Sequence, residues 1–201
     1  MNQIYLASRS VRRRALLHQI GVGHELLLLR EDAKRSLDVD ETPRENEAPR
    51  DYALRVASAK ASAGLNALAR RAGAPKPVLA ADTTIALNQR IIGKPRDAMH
   101  AQEILAALSA REHTVITVVA MAFATRFETR VSVSRVWMMP LDSARIRRYI
   151  QTGEPMDKAG AYAVQGRAAA FITRIEGSYS GIMGLPLAQT AELLALFGVE
   201  T

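Results

Sequence analysis

The chain has 201 residues, 48% of them hydrophobic, which suffices for a buried core and excludes disorder for most of its length. It has no cysteine, which excludes disulfide bonds, thiol nucleophiles and cysteine-ligated zinc. Its net charge of +7 indicates an anionic partner, and the 5% of aromatic residues favour phosphate-bearing small molecules over polynucleotides. Without a signal-peptide pattern or an apolar stretch of membrane-spanning length, we expect a soluble cytoplasmic protein.

Hydrophobic periodicity predicts helices and strands that are mixed along the chain. The predicted strands are 2–7, 25–29, 78–81 continuing as 84–87, 91–92, 115–125, 129–139 and 169–175. The predicted helices are 11–20, 50–72, 97–108, 142–151 and 186–197, with N-caps at Ser8 or Ser10, at Asp97, and at Asp142 or Ser143. Residues 30–50 form a long polar loop with two prolines, typical of an element that covers a site. The mixture predicts an α/β or α+β fold with a mixed sheet.

The first candidate phosphate site follows the first predicted strand. Ser8 and Ser10 stand where a strand gives way to a helix, whose free N–H groups and dipole favour an anion. Arg12 and Arg13 add permanently charged forks that match phosphate oxygens. A capped helix with solvated arginines explains the same residues equally well, so this segment alone assigns no function.

A candidate acid and two candidate bases follow along the chain. Asp82 comes at the end of a buried run, where a carboxylate holds a hard cation, orients a water or simply accepts hydrogen bonds in a turn. Lys94, in a Gly-Lys-Pro segment just past a predicted hairpin, can reach back toward the same place. Lys60 lies on the long predicted helix and, taken alone, is expected to be a solvated lysine.

The segment 154–166 combines acids, a lysine, a glutamine and glycines with little periodicity, which is typical of a functional loop on a rigid scaffold. A capped surface turn is the alternative for this segment alone. The four histidines show no metal-ligand spacing, His113 is expected to make a structural hydrogen bond, and P-loop, G-x-S-x-G and dinucleotide fingerprints do not occur. The reaction class that these residues still favour is phosphate chemistry with a carboxylate-bound divalent cation.

Several segments occur in the order of a known set of motifs. They are LASRSVRR at 6–13, ADT at 81–83, GKP at 93–95, REHTV at 111–115, DKAGAY at 157–162, QG at 165–166, GSY at 177–179 and GLPL at 184–187. Together they resemble the Maf family of nucleoside triphosphate pyrophosphatases almost from end to end. The resemblance implies an elongated α/β fold related to inosine-triphosphate pyrophosphatases, with a mixed sheet, flanking helices and two lobes around a deep cleft. It also implies a single domain over 1–201.

The resemblance implies hydrolysis of a nucleoside triphosphate to the monophosphate and pyrophosphate, assisted by a divalent cation, Mg²⁺ or Mn²⁺. Asp82 would be the catalytic acid that binds the metal or activates the water. The residues around the triphosphate would be Ser8, Arg12, Arg13, Lys60 and Lys94, and those near the base and sugar Lys158 and Gln165. The DKAGAY and QG motifs are similar to those of members that prefer dTTP and UTP. Glu31 and Asp32 are the alternatives for a second metal-binding carboxylate, with preference for Asp32.

Two other functions stay open. A pyrophosphatase of the same fold that acts on 7-methyl-GTP, ITP or another modified nucleotide would share the chemistry and differ in its loops. A non-catalytic nucleic-acid or septum-related binding protein would use the net charge of +7 and bind polynucleotides with strong salt dependence. The oligomeric state stays open, with a homodimer as a common form for such a chain. We expect no membrane partner and, for the enzyme, no nucleic-acid partner.

Overall fold

One mixed sheet of seven strands organises the part of the chain that the computed structural model describes, residues 3–30, 38–69 and 75–201. The strands are β1 (Gln3–Leu6), β2 (Gly23–Leu26), β3 (Val78–Leu87), β4 (Arg90–Ile92), β5 (Glu112–Phe123), β6 (Arg126–Met138) and β7 (Ile172–Glu176). Their order is β2-β1-β3-β5-β6-β7, and β4 pairs with β3 outside this path. β1 runs parallel to β2 and β3, whereas the other pairings are antiparallel. The predicted mixed sheet is confirmed.

Within the described ranges, six α-helices flank the sheet. They are α1 (Val11–Gln19), α2 (Pro49–Ala69), α3 (Ala98–Leu108), α4 (Ser143–Ile150), α5 (Tyr179–Met183) and α6 (Leu187–Leu196), and short 3-10 turns cover Glu154–Asp157, Ala159–Ala161 and Arg167–Phe171. The side chains of Ser10, Asp97 and Asp142 each accept a hydrogen bond from the backbone N–H three residues on, which confirms these N-caps. Among the described residues, no helix is both long enough and apolar enough to cross a membrane.

Some predicted boundaries are wrong because tertiary pairing overrides local pattern. The strand predicted at 78–81 does continue as 84–87, but residues 82 and 83 belong to it as well, since β5 pairs with β3 continuously from Val78 to Ala86. Residues 169–171 belong to a 3-10 turn before β7, and the expected loop at 177–179 leads directly into α5. β2 ends at Leu26 instead of residue 29. Residues 70–72 of the predicted long helix lie outside the described residues.

Apolar side chains pack on both faces of the sheet. Val78 and Ala80 of β3 belong to a cluster with α2, whereas Leu79 and Ala81 face a cluster with α1 and α6, as the alternation of a strand requires. A third cluster joins α3, α4 and part of the segment 161–168 at the far end of β3. The sheet therefore carries helices on both faces, and its central strand runs from one packed region into the next.

Candidate active site

A cleft of about 870 Å³ lies between the two packed ends of the sheet. Cavities of this size commonly hold small-molecule ligands such as nucleotides. Its walls come from the segment after β1, the middle of β3, the end of β4, the described part of the loop before α2 and the segment 157–165. All the predicted site residues in the described ranges line it, namely Ser8, Arg12, Arg13, Lys60, Asp82, Lys94, Lys158 and Gln165. The predicted cleft is confirmed, and the roles of these residues stay predictions.

Asp82 lies inside β3 and not at a strand end, which corrects the sequence interpretation. Its side chain is buried on the face that packs against α2, where an unpaired carboxylate would be costly. One oxygen, Oδ1, accepts a hydrogen bond from Lys60 Nζ at 2.9 Å, and Oδ2 accepts one from Thr84 Oγ1 at 3.1 Å. The carboxylate is thus oriented by two partners, and each oxygen keeps a lone pair beyond these hydrogen bonds.

Lys60 is not the solvated lysine that the helix pattern favoured. Its side chain is only 15% exposed, and its ammonium lies 2.9 Å from Asp82 Oδ1 and 3.0 Å from Glu41 Oε1. One helical turn further on, Gly64 lets α2 approach β3 closely, since an added Cβ would lie 2.7 Å from Val78 Cγ1. The close approach of α2 brings Lys60 over the Asp82 carboxylate.

Glu41 is the site residue that sequence reasoning missed. The main chain around it is held to α2, because Tyr52 Oη donates to the Glu41 carbonyl at 2.9 Å and Arg55 donates to the carbonyls of Asp40 and Thr42 at 3.0 Å. Arg55 is itself fixed by two hydrogen bonds to the carboxylate of Glu47. The spacing of Tyr52 and Arg55 on one helix face, after an acidic stretch, was the available signal.

The same contacts explain the perturbed groups of this loop. The side-chain hydrogen bonds from Arg55 lower the pKa of Glu47 to about 2, against the effect of desolvation. Burial is the main cause that raises the pKa of Tyr52, and the nearby carboxylates of Asp82 and Glu41 raise it further. Around neutral pH, Glu47 is therefore ionised and Tyr52 is neutral. Tyr52 holds the Glu41 main chain directly, and Glu47 does so through Arg55.

The donor set fits a divalent cation that is shared with phosphate oxygens. Asp82 and Glu41 both reach the ammonium of Lys60, so two carboxylates face one cationic centre. Mg²⁺ and similar ions take one or two protein carboxylates plus substrate phosphates. Among the described residues, no group of three or more acidic, histidine or cysteine side chains forms a metal cage without substrate. The sequence candidates Glu31 and Asp32 lie outside the described residues.

Arg13 joins the opening motif to the rest of the site. Its Nε donates to Gly184 O at 2.8 Å, Nη1 to Ser8 Oγ at 3.2 Å and Nη2 to Thr83 Oγ1 at 3.3 Å. Burial lowers the pKa of this guanidinium, and the charge of Asp82 opposes that effect. Part of the Arg13 hydrogen-bonding capacity thus serves to position the cleft wall. Arg12 also lines the cleft.

The loops that carry Lys94 and Lys158 are attached to each other. Gly160 N donates to Gly93 O at 3.0 Å, and Gly160 has φ +69° with no room for a side chain against Ile85. Lys158 Nζ donates to the Glu154 carbonyl at 3.0 Å and also pairs with Asp157. The cations from these two loops therefore line the cleft on a shared support.

His113 makes the structural hydrogen bond that the sequence predicted. Its Nε2 lies 2.8 Å from Tyr162 Oη, and the two rings meet edge to face at 5.4 Å. Both residues are buried, and Tyr162 lines the cleft beside the segment 157–165. Burial lowers the pKa of His113 to about 4, so the imidazole is neutral near pH 7.

Comparison with known proteins identifies the family. The family model described as Maf-like protein matches residues 3–197. The dTTP/UTP pyrophosphatase of Nitrosomonas europaea is 52% identical over 99% of this chain and 96% of the relative, and that of Aromatoleum aromaticum is 54% identical over 98% and 96%. The nucleoside triphosphate pyrophosphatase of Xylella fastidiosa is 48% identical over 96% and 98%. The solved structure of the Staphylococcus aureus Ham1 protein aligns over 97% of each chain with TM-score 0.46 and 18% identity. The chain belongs to the Maf family.

Proposed function

We propose that this protein hydrolyses nucleoside triphosphates, dTTP and UTP foremost, to the monophosphate and pyrophosphate. The observation that carries the proposal is the buried carboxylate of Asp82 on the wall of a nucleotide-sized cleft that is otherwise rich in cations. Relatives that share half of their residues with this chain are named dTTP/UTP pyrophosphatases, which supports both the reaction and the pyrimidine preference.

In this reaction a water attacks the α-phosphorus, the bond from the α-phosphorus to the bridging oxygen breaks, and pyrophosphate leaves. Asp82 accepts the proton of the attacking water, since each of its oxygens keeps a lone pair beyond the hydrogen bonds from Lys60 and Thr84. Lys60 offsets the cost of burying the Asp82 charge and fixes the direction of the carboxylate.

Negative charge builds on the leaving pyrophosphate, and the cations of the cleft stabilise it. Arg12, which precedes Asp82 in the sequence, and Lys94, which follows it, both line the cleft. Ser8 offers a hydroxyl just before α1. Donors that are already positioned stabilise developing charge without reorganisation. A bound Mg²⁺ or Mn²⁺, held by Asp82 and Glu41 together with phosphate oxygens, would add polarisation of the reacting phosphate.

Gln165 and Lys158 supply the contacts to the base and sugar. Gln165 is exposed at the cleft, and its amide carries both a donor and an acceptor. Thymine and uracil present a carbonyl beside an N–H, which one amide side chain can pair with on two points. This complementarity supports a preference for dTTP and UTP over CTP, whereas guanine and hypoxanthine present the same pair of groups, so the preference over GTP and ITP rests on the named relatives.

The test is pyrophosphate release by the purified protein, with and without a chelator, from dTTP, UTP, CTP, GTP, 7-methyl-GTP and ITP. We expect metal-dependent release from dTTP and UTP, and none from the variant Asp82→Asn. Release centred on 7-methyl-GTP or ITP would keep the chemistry and contradict the pyrimidine preference. No release from any substrate, combined with salt-dependent polynucleotide binding, would replace the enzyme by a binding protein.

The single domain over 1–201, the homodimer and the cytoplasmic location stay predictions. Light scattering of the purified protein measures the mass in solution, and a monomer at micromolar concentration would contradict the homodimer.

A further inference from the structure

Glu154 lies behind the loop that carries both proposed base contacts. It opens the 3-10 turn Glu154–Asp157, which directly precedes Lys158, and it is not among the residues that line the cleft. Direct contact with the nucleotide base is therefore not its role. Its contacts reach both ends of the segment 158–166 from the side away from the cleft.

The carboxylate of Glu154 holds the end of this segment that follows Gln165. Its Oε2 accepts a hydrogen bond from the backbone N–H of Arg167 at 3.0 Å. Gly166 packs directly on the same carboxylate, since an added Cβ would lie within 2.6 Å of both oxygens. The two residues after Gln165 are thus held against one anionic group.

The main chain of Glu154 holds the other end. Its carbonyl accepts a hydrogen bond from Lys158 Nζ at 3.0 Å. Glu154 therefore contacts Lys158 through its backbone carbonyl, and it contacts the main chain next to Gln165 through its side-chain carboxylate.

Glu154 is in turn fixed to the packed part of the fold. Tyr149 Oη donates to Glu154 Oε1 at 2.8 Å, and Tyr149 is a buried residue of α4 whose ring meets Phe171 edge to face at 5.3 Å. Desolvation raises the pKa of Glu154, but the hydrogen bonds from Arg167 and Tyr149 outweigh it and hold the pKa below its ordinary value. The carboxylate is ionised near neutral pH, and charge-assisted hydrogen bonds are the stronger kind.

We propose that Glu154 is a positioning residue that sets the nucleotide selectivity of the cleft by holding Gln165 and Lys158 in register with the base. The proposal rests on the proposed function, because selectivity is measured as turnover of different triphosphates. It assigns no contact between Glu154 and the substrate and no part in the bond-breaking step.

The test compares kcat and KM for dTTP and dCTP in the wild type and in Glu154→Ala. The alanine leaves Arg167 N–H and Tyr149 Oη without their acceptor, so the loop loses its support. We expect the ratio of kcat/KM for dTTP to that for dCTP to fall about tenfold, mainly through KM for dTTP. Inhibition by inorganic pyrophosphate is expected to stay unchanged, because the triphosphate end of the cleft does not depend on Glu154.

Two further variants separate positioning from a loss of folding. Glu154→Gln keeps the volume, accepts from Arg167 and donates to Tyr149, so it is expected to recover most of the selectivity. Gly166→Ala leaves Glu154 in place but pushes a methyl group onto the carboxylate, so it is expected to reproduce the loss. Thermal unfolding of each variant shows that it is folded under assay conditions.

Unchanged selectivity in folded Glu154→Ala and Gly166→Ala would overturn the positioning role while the proposed function stands. Equal losses for dTTP, dCTP and pyrophosphate binding would also overturn it, since a general structural defect would then explain the effect. If the wild type releases no pyrophosphate from any triphosphate, the proposed function fails and this role fails with it.

Discussion

Burial of His113 predicts a specific loss of stability in acid. Burial lowers the pKa of this residue from its ordinary value of 6.5 to about 4 in the folded protein. Between these values the unfolded chain binds a proton that the folded protein does not bind. The free energy of unfolding therefore falls as the pH falls from about 6.5 to about 4, and above about pH 6.5 this contribution to stability is complete. The two pKa values correspond to a loss of about 3 kcal/mol at the acid end.

The assay is urea unfolding at a series of pH values, with the wild type and His113→Gln compared at each pH. Glutamine can still pair with Tyr162 Oη but does not titrate, so the difference between the two proteins isolates His113 from the acidic residues. We expect that difference to change by about 3 kcal/mol from pH 7 to pH 4, with the wild type losing more. Parallel curves over this range would refute the argument that His113 is held neutral by burial.

The remaining predictions concern the cleft. Asp82→Asn is expected to abolish pyrophosphate release from dTTP. Its circular dichroism spectrum is expected to stay unchanged, because Lys60 keeps its pairing with Glu41. Turnover near the wild-type rate would show that Asp82 is not the proton acceptor. Glu41→Gln is expected to raise the Mg²⁺ concentration for half-maximal activity at least about tenfold, since the proposed metal ligand loses its charge. An unchanged metal titration would remove Glu41 from the proposed metal site. Lys94→Ala is expected to lower kcat/KM by about 1–2 kcal/mol equivalent, and unchanged kinetics would place Lys94 outside the phosphate contacts.

The residues of the opening motif show how much of the site is predictable from local sequence. Ser10 caps α1 as its position before the apolar run predicts, because a cap bonds to an N–H only three residues away. Arg12, Arg13 and Lys94 were recognised as candidates from their residue type and their place beside turns. Their motifs also carry the resemblance to the Maf family.

Asp82 and Lys60 show where local sequence fails. The polar pair Asp82-Thr83 indicated the end of a strand, yet β5 pairs with β3 across it. A carboxylate is tolerated there because Lys60 meets it from α2, a contact between residues far apart in the chain. The amphipathic pattern of α2 leaves Lys60 on the polar side, and only packing of α2 on β3 shows that this side meets an acid.

Motifs and short-range hydrogen bonds make several features predictable from the amino-acid sequence: the family, the mixed α/β class, the helix caps and most of the polar residues that line the cleft. Two contacts are visible only in the folded protein: Glu41 joins Asp82 at Lys60, and Glu154 lies behind the Gln165 loop. These contacts join segments that no periodicity connects. Only the packing of helices and loops on the sheet sets the distances at which their charges interact.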